Sequence, residues 1–154
     1  MKAQLKFPIF ILNPKNNMVY VFWREQDYNT TDIDWFKKQK RRKSIVVDSL
    51  GMKYVVKQTN MVKWKGIHGF IGLQCGIIKI ENEYEDNPVK ISLKELQDIV
   101  IDRYPKSQVF RSECWENVDD FKNTVFQCKT FEELAEVFRR RPSKNIFLRF
   151  WRGY

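Results

Sequence analysis

The sequence predicts an α+β fold, a largely antiparallel sheet of about five to six strands with two to four helices, mostly in the C-terminal half. Two observations carry this prediction. Segments rich in β-branched and aromatic residues dominate the first half of the chain, whereas segments with helical spacing and N-terminal caps dominate the second. This order is typical of a sheet whose helices lie on one face.

The most strongly determined element is a β-hairpin over residues 44–58. Residues 45–47 (IVV) form a β-branched run, and residues 52–57 (MKYVVK) supply a second strand. Between them, Asp48 takes the first and Gly51 the fourth position of a turn. This placement favours a type I turn followed by a left-handed residue, the common bulged hairpin connection.

Further segments have strand character. Residues 7–12 (FPIFIL) and 18–23 (MVYVFW) flank a cluster of turn-forming residues, so we expect a second hairpin there. Residues 77–84 alternate charged and apolar side chains, which predicts a strand with one face in water. The remaining interpretations are a final strand at 145–151, a short strand at 124–128, and a loop or short strand at 60–65.

Capping boxes, in which Ser or Thr precedes an acid by three residues, predict helix starts at Thr31, Ser92 and Thr130. The first would open a short helix leading into the basic run at 37–43, with an extended loop as the alternative. The second helix should stop before Pro105 and the third before Pro142, because proline cannot continue a helix.

The 154 residues predict a single globular domain over 1–154, and 43% apolar residues suffice for a buried core. The three cysteines lack C-x-x-C spacing, which argues against a disulfide framework and a zinc site. No secretory signal and no apolar stretch of bilayer length is visible, so we expect a cytoplasmic protein without membrane contact.

The sequence contains no recognisable set of catalytic residues. His68 is the only histidine, and the glycines at 66–76 do not match a phosphate-binding loop. Asp48 and Lys57 resemble part of a metal-dependent nuclease pattern, but Val55 stands where the second carboxylate is needed. We therefore expect no catalytic residue, metal ion or cofactor; a hydrolase using Asp48 or the acidic strand at 81–83 is the least favoured class.

Charge is segregated along the chain. Residues 1–80 hold 15 Lys and Arg against 5 Asp and Glu, residues 81–136 hold 7 against 14, and residues 137–154 hold 6 against none. Such asymmetry predicts separate basic and acidic surfaces. The densest feature is the basic run, with six cations in the seven residues 37–43.

Cations beside aromatic residues suit protein interfaces, which are enriched in Trp and Arg, and also suit base stacking. The sequence therefore predicts a partner-binding surface made of Trp35, Lys37, Lys38, Lys40, Arg41, Arg42, Lys43 and Trp64. The partner would be a protein with an acidic surface or, alternatively, a nucleic acid. For the protein-binding hypothesis, reversing Lys40, Arg41 and Arg42 to Glu should weaken partner binding and leave thermal stability nearly unchanged.

In overall plan the chain resembles the small immunity proteins that bacteria pair with contact-dependent or polymorphic toxins. The resemblance rests on a strand-rich first half around SIVVDSLGMKYVVK and on capped helices such as SLKELQDIVIDRY and TFEELAEVFRRR. It covers most of the chain but is architectural, and no residue-level motif carries over. It implies a protein that binds a toxin domain and blocks its active site without catalysis.

One departure from that family concerns charge. An inhibitor of a basic nuclease is expected to be acidic, whereas this chain carries a formal charge of +9. The partner surface would then be acidic, or the contact would use the acidic region at 81–136. The leading hypothesis is a non-enzymatic protein-binding module, and the alternative is a basic nucleic-acid-binding protein that uses residues 37–43 and nearby aromatics.

Overall fold

The computed structural model describes residues 3–38, 41–64, 76–110, 115 and 117–139. Within these ranges the strands are β1 (Ile9–Leu12), β2 (Val19–Phe22), β3 (Thr30–Asp32), β4 (Ile45–Val47), β5 (Met52–Trp64), β6 (Ile77–Tyr84) and β7 (Val89–Lys90). The helices are α1 (Glu25–Tyr28), α2 (Ile33–Lys37), α3 (Leu93–Arg103), α4 (Val118–Gln127) and α5 (Phe131–Val137), and a 3₁₀ turn at Tyr104–Lys106 follows α3.

The strands form one curled antiparallel sheet in the order β2-β1-β4-β5-β6-β3, with β7 beside the start of β5. Strand β5 joins the two halves, because β4 pairs with its first residues and β6 with the remainder. Register shifts between Val56 and Gln58 and between Met61 and Lys63 interrupt the second pairing. Such irregularities bend a strand and increase its twist. The predicted α+β class is confirmed.

The turn between β4 and β5 forms as its sequence predicts. The Asp48 carboxylate accepts hydrogen bonds from the backbone N–H groups of Leu50 (3.0 Å) and Met52 (2.9 Å). Gly51 has a φ of +77°, and a Cβ at this position would lie 2.6 Å from the Ile91 carbonyl oxygen. Glycine is therefore required both by the left-handed backbone and by the close approach of the chain before α3.

The capping boxes have different outcomes. The second forms fully, since Ser92 and Glu95 satisfy each other's backbone N–H groups. The Thr130 hydroxyl also accepts from the N–H of Glu133 as predicted. The predicted start at Thr31 is wrong by one residue: Asp32 caps α2 by accepting from the Trp35 N–H at 2.7 Å. Thr31 instead lies in β3.

One further assignment differs from the sequence prediction. Residues 124–127 are not a strand but the end of α4, because Phe121 and Val125 lie four residues apart on one helical face and are both buried in the core. Residues 60–64 form the strand that was one of the two predicted alternatives, because they pair with β6 as the end of β5. The predicted strand at 145–151 lies outside the described residues.

The sheet has an apolar cluster on each face, and β1 contributes to both because its side chains alternate. Phe10 and Leu12 join the larger cluster, which α3, α4 and α5 cover. Ile9 and Ile11 join a smaller cluster on the opposite face, together with Tyr28 and other side chains from β4, β5 and β6. The smaller cluster lies next to the residues that form the site below.

Candidate functional site

The described part of the basic run leaves helix α2 and turns back toward the sheet. Helix α2 ends at Lys37, with Lys38 as its C-cap. After residues 39–40, which lie outside the described ranges, the Lys43 N–H donates to the Val56 carbonyl at 2.8 Å and the chain enters β4. This return places residues 41–43 beside the middle of β5.

Arg41 is buried, with only 5% of its surface exposed. Its guanidinium carbon lies 4.7 Å from the ring centroid of Tyr28, 5.5 Å from Trp35 and 5.7 Å from Phe22. Nη1 donates a hydrogen bond to the Tyr28 carbonyl oxygen. Aromatic faces attract cations electrostatically, so these three rings hold the guanidinium in one position.

The charge of Arg41 is not neutralised by any acid in the described part of the chain. Its Nε–H also lacks a hydrogen-bond partner there. Burial lowers the pKa of the Arg41 guanidinium by desolvating its charged form. The nearby hydroxyls of Tyr28 and Tyr84 lie 2.9 Å apart, and burial raises the pKa of both, so both are neutral. A buried positive charge without a counter-ion is energetically costly.

Arg41 forms part of the wall of a cavity of about 360 Å³ between α2 and the β5–β6 pair. Among the residues that the structure describes, its lining combines two aromatic rings and three cations with no acid, and we call it the cationic cavity. Its lining residues are Thr31, Trp35, Phe36, Arg41, Arg42, Lys57, Gln58, Thr59 and Ile80. Helix α2 supplies the aromatic wall, and β5 supplies Lys57 where its register shifts.

A second, smaller cavity of about 190 Å³ shares Trp35 and Arg41 with the first. Its lining includes Asp32, whose carboxylate caps α2 and makes no ion pair with Arg41. Thr31, Trp35 and Arg41 thus line both cavities. In neither cavity does an acidic side chain of the described residues form an ion pair with Arg41.

The structure separates the predicted partner-binding residues into groups. Trp35, Arg41 and Arg42 meet in the cationic cavity. Lys37, Lys38 and Lys43 are exposed nearby without lining it, Lys40 lies outside the described residues, and Trp64 stands at the far end of β5. Their role in binding stays a prediction, but residues 37–43 are not one uniform solvated surface.

Arg41 requires a correction to the sequence-based prediction. A triple reversal that includes Arg41→Glu would place a carboxylate between buried aromatic rings, next to the Tyr28 carbonyl oxygen. A buried carboxylate without donors is strongly destabilising. We therefore expect thermal stability to fall when Arg41 is reversed to Glu, in place of the nearly unchanged stability expected from the sequence.

Sequence reasoning missed Lys57 as a site residue, together with the contribution of Tyr28 and Phe22 to holding Arg41. Lys57 is exposed on β5 and faces the cavity only because β5 passes alongside residues 41–43. One signal was present, since Lys57 belongs to the predicted hairpin that begins directly after the basic run. Nothing local to the sequence marks Tyr28 or Phe22.

Exposed apolar side chains cluster at the end of β5 and the start of β6. Val62 is 52% and Trp64 41% exposed, and Met61 and Ile77 are exposed to a similar extent. We call these four residues the apolar strand end. It begins two residues beyond Thr59 of the cationic cavity, so cationic and apolar surfaces lie close along one strand.

The residues considered for catalysis have structural roles. Asp48 is buried and its carboxylate binds the backbone of its own turn. On the acidic strand, the Glu83 carboxylate accepts from Asn60 Nδ2 at 2.6 Å. The described ranges contain no group of three or more His, Cys, Asp or Glu side chains arranged to bind a metal ion. His68 lies outside those ranges.

No protein-family model, curated protein or solved structure matches this chain. Within the ranges that the structure describes, every helix is too short or too polar to cross a bilayer. The cationic cavity and the exposed residues around it are therefore the features from which a function can be inferred.

Proposed function

We propose that this protein is a non-enzymatic, cytoplasmic binding module that captures an acidic protein surface on the face around the cationic cavity. The resemblance to immunity proteins makes a toxin domain the partner class that we favour. The supporting observation is the cavity itself, in which Arg41, Arg42 and Lys57 surround a space bounded by Trp35 and Phe36, with no acid among the described lining residues.

Two properties of this face favour a protein partner. Binding hot spots are enriched in Trp and Arg and lie in desolvated recesses, and Trp35 and Arg41 share such a recess. The apolar strand end adds exposed aliphatic and aromatic surface next to the cations. Interfaces between proteins combine an apolar centre with a polar rim, and this combination supports the assignment.

Nucleic acid is the second candidate, because Trp35 and Phe36 stand beside cations as stacking residues do in single-strand binders. It is less favoured for a geometric reason. Proteins that follow a phosphate backbone present a charged groove, whereas here the three lining cations converge on one cavity of about 360 Å³.

The test uses a charge-reversed variant and a matched control. Arg42→Glu with Lys57→Glu alters the cavity, while Lys90→Glu with Lys94→Glu makes the same change of net charge on exposed residues of β7 and the start of α3. Both pairs should leave the thermal midpoint nearly unchanged. A partner captured by the wild type should bind the cavity variant at least about tenfold more weakly and the control nearly normally, measured by calorimetry with the purified partner.

Equal binding of both variants to the partner would show that the cationic cavity is not part of the interface. The same proteins are then tested with fluorescent DNA and RNA at about 50 and 200 mM salt, over which several phosphate contacts lose orders of magnitude in affinity. Tight, salt-sensitive binding that the cavity variant loses would overturn the protein-partner proposal in favour of nucleic acid.

A further inference from the structure

We infer that the cationic cavity is a binding site for a single carboxylate group, supplied by an Asp or Glu side chain of the partner and held by Arg41, Arg42 and Lys57. The inference rests on the proposed function for the source of the carboxylate. The site itself can be tested without any partner protein.

The positive charge of Arg41 has no counter-ion in the described ranges. Only 5% of the surface of Arg41 is exposed, so the side chain is more than nine-tenths buried. It has no ion pair in the described ranges, and its Nε–H has no hydrogen-bond acceptor there. A buried charge that is left without its counter-ion is strongly destabilising. Aromatic contacts offset only part of the cost of burying a cation. A carboxylate in the adjoining cavity would supply the missing negative charge.

The other two cations of the cavity, Arg42 and Lys57, also lack a counter-ion. Both side chains are exposed, and neither has an ion-pair partner among the residues that the structure describes. Three cations without an ion-pair partner in the described ranges line one partly open recess, and its low-dielectric walls focus their field and raise the local positive potential. An anion entering the cavity would be attracted by all three.

The size and lining of the cavity suit a single side chain. A cavity of about 360 Å³ accepts one side chain but is too small for a folded element. Trp35 and Phe36 offer apolar contact for the methylene groups of a Glu or Asp. The Thr59 hydroxyl already donates to Asn82 Oδ1 at 2.7 Å. Gln58 Nε2 donates to Asn60 Oδ1 at 2.6 Å. The strongest donors in the lining are the cations: the planar guanidinium groups of Arg41 and Arg42 match a carboxylate, and the Lys57 ammonium adds a point charge.

The experiment is an NMR titration of the full chain with N-acetyl-glutamate α-amide, a capped residue whose only charge is the side-chain carboxylate. Its neutral isostere, N-acetyl-glutamine α-amide, is the matched ligand control. We expect saturable shifts of the Arg41 Nε–Hε and Trp35 indole N–H resonances with the glutamate ligand and none with the glutamine ligand. Arg42→Gln with Lys57→Gln should weaken binding at least about tenfold, whereas Lys90→Gln with Lys94→Gln should not.

Arg41 itself is left unchanged in these variants because its removal threatens the fold. Shifts that do not saturate, or that survive Arg42→Gln with Lys57→Gln, would overturn the site. Saturable binding of inorganic phosphate without binding of the capped glutamate would also overturn the carboxylate assignment, and would point to a phosphate ligand. If the capped glutamate binds but the partner tolerates Arg42→Glu with Lys57→Glu, the site stands and the proposed interface fails.

Discussion

At the scale of single residues, the hydroxyl pair of Tyr28 and Tyr84 offers a direct measure of the buried cluster around Arg41. The two oxygens lie 2.9 Å apart, and both rings are almost completely buried. Burial raises the pKa of each hydroxyl, so the pair stays neutral and hydrogen-bonded through the physiological pH range.

We expect Tyr84→Phe to lower the free energy of unfolding by about 1–3 kcal/mol, because it leaves the buried Tyr28 hydroxyl without this hydrogen bond. Tyr28→Phe should also destabilise the protein, and the double variant should lose less than the sum of the two. Urea unfolding of the four proteins gives the coupling energy as a double-mutant cycle.

Tyr20→Phe is the matched control for this cycle, since Tyr20 is half-exposed on β2 and should change stability by less than about 0.5 kcal/mol. Strict additivity of Tyr28→Phe and Tyr84→Phe would mean that the hydroxyl contact contributes nothing.

At the scale of elements, α3 depends on its capping box. Ser92 and Glu95 bond reciprocally, with the Ser92 N–H donating to the Glu95 carboxylate at 2.7 Å and the Glu95 N–H donating to Ser92 Oγ at 3.2 Å. The hydrogen bonds from the Ser92 backbone and side chain lower the pKa of the Glu95 carboxyl below its ordinary value of 4.5.

We expect Ser92→Ala to lower the free energy of unfolding at pH 7 by about 1 kcal/mol, the usual value of an N-cap. A Glu95→Gln variant adds a pH dependence with a definite sign. Because the folded-state pKa is depressed, the charged Glu95 stabilises the fold above its unfolded-state pKa, and this contribution is lost as pH falls through the folded-state value.

The measurement is urea unfolding of wild type and Glu95→Gln at pH 7 and pH 3, where the difference between them should shrink at the lower pH. Asp98→Asn, an exposed change on the same helix that touches no cap, is the control. A difference that grows on acidification would contradict the capping assignment.

At the scale of the whole molecule, β1 links the two apolar clusters, because alternate side chains of one strand enter opposite faces of the sheet. Phe121 lies at the centre of the larger cluster, within 5.5 Å ring-to-ring of Tyr104, Phe110 and Trp115. Val46 belongs to the smaller one and is fully buried.

If the chain is one cooperative domain as predicted for residues 1–154, changes on either face should shift the same unfolding transition. We expect losses of about 3–5 kcal/mol for Phe121→Ala and about 2 kcal/mol for Val46→Ala, from lost burial and the cavity left behind. Tryptophan fluorescence and far-UV circular dichroism should then report coincident midpoints for both variants.

Two separated transitions, each sensitive to only one of these substitutions, would contradict the single-domain prediction. Val118→Ala provides the comparison, because Val118 is exposed at the start of α4 and should have little effect.

The sequence alone determined the features that depend on residues two to four positions apart. The Asp48–Gly51 turn and the Ser92 cap follow from contacts within the local chain. The alternation of β6 follows from the two-residue period of a strand. The α+β class follows from their order along the chain. The cap of α2 was misplaced by one residue, because Thr31 and Asp32 are both good caps and pairing of Thr31 with Ile78 decides between them.

Only the tertiary structure decided the role of Arg41. In the sequence Arg41 is one of six cations among residues 37–43, and all six are expected to be equally exposed to solvent. In the fold, Phe22, Tyr28 and Trp35 surround it. The cationic cavity likewise depends on β5 bending past α2, and the helical state of residues 124–127 depends on core packing. These outcomes arise from contacts between segments that are distant in the sequence. The free energy of burial and desolvation depends on the whole fold, and it outweighs the local conformational preferences of the sequence.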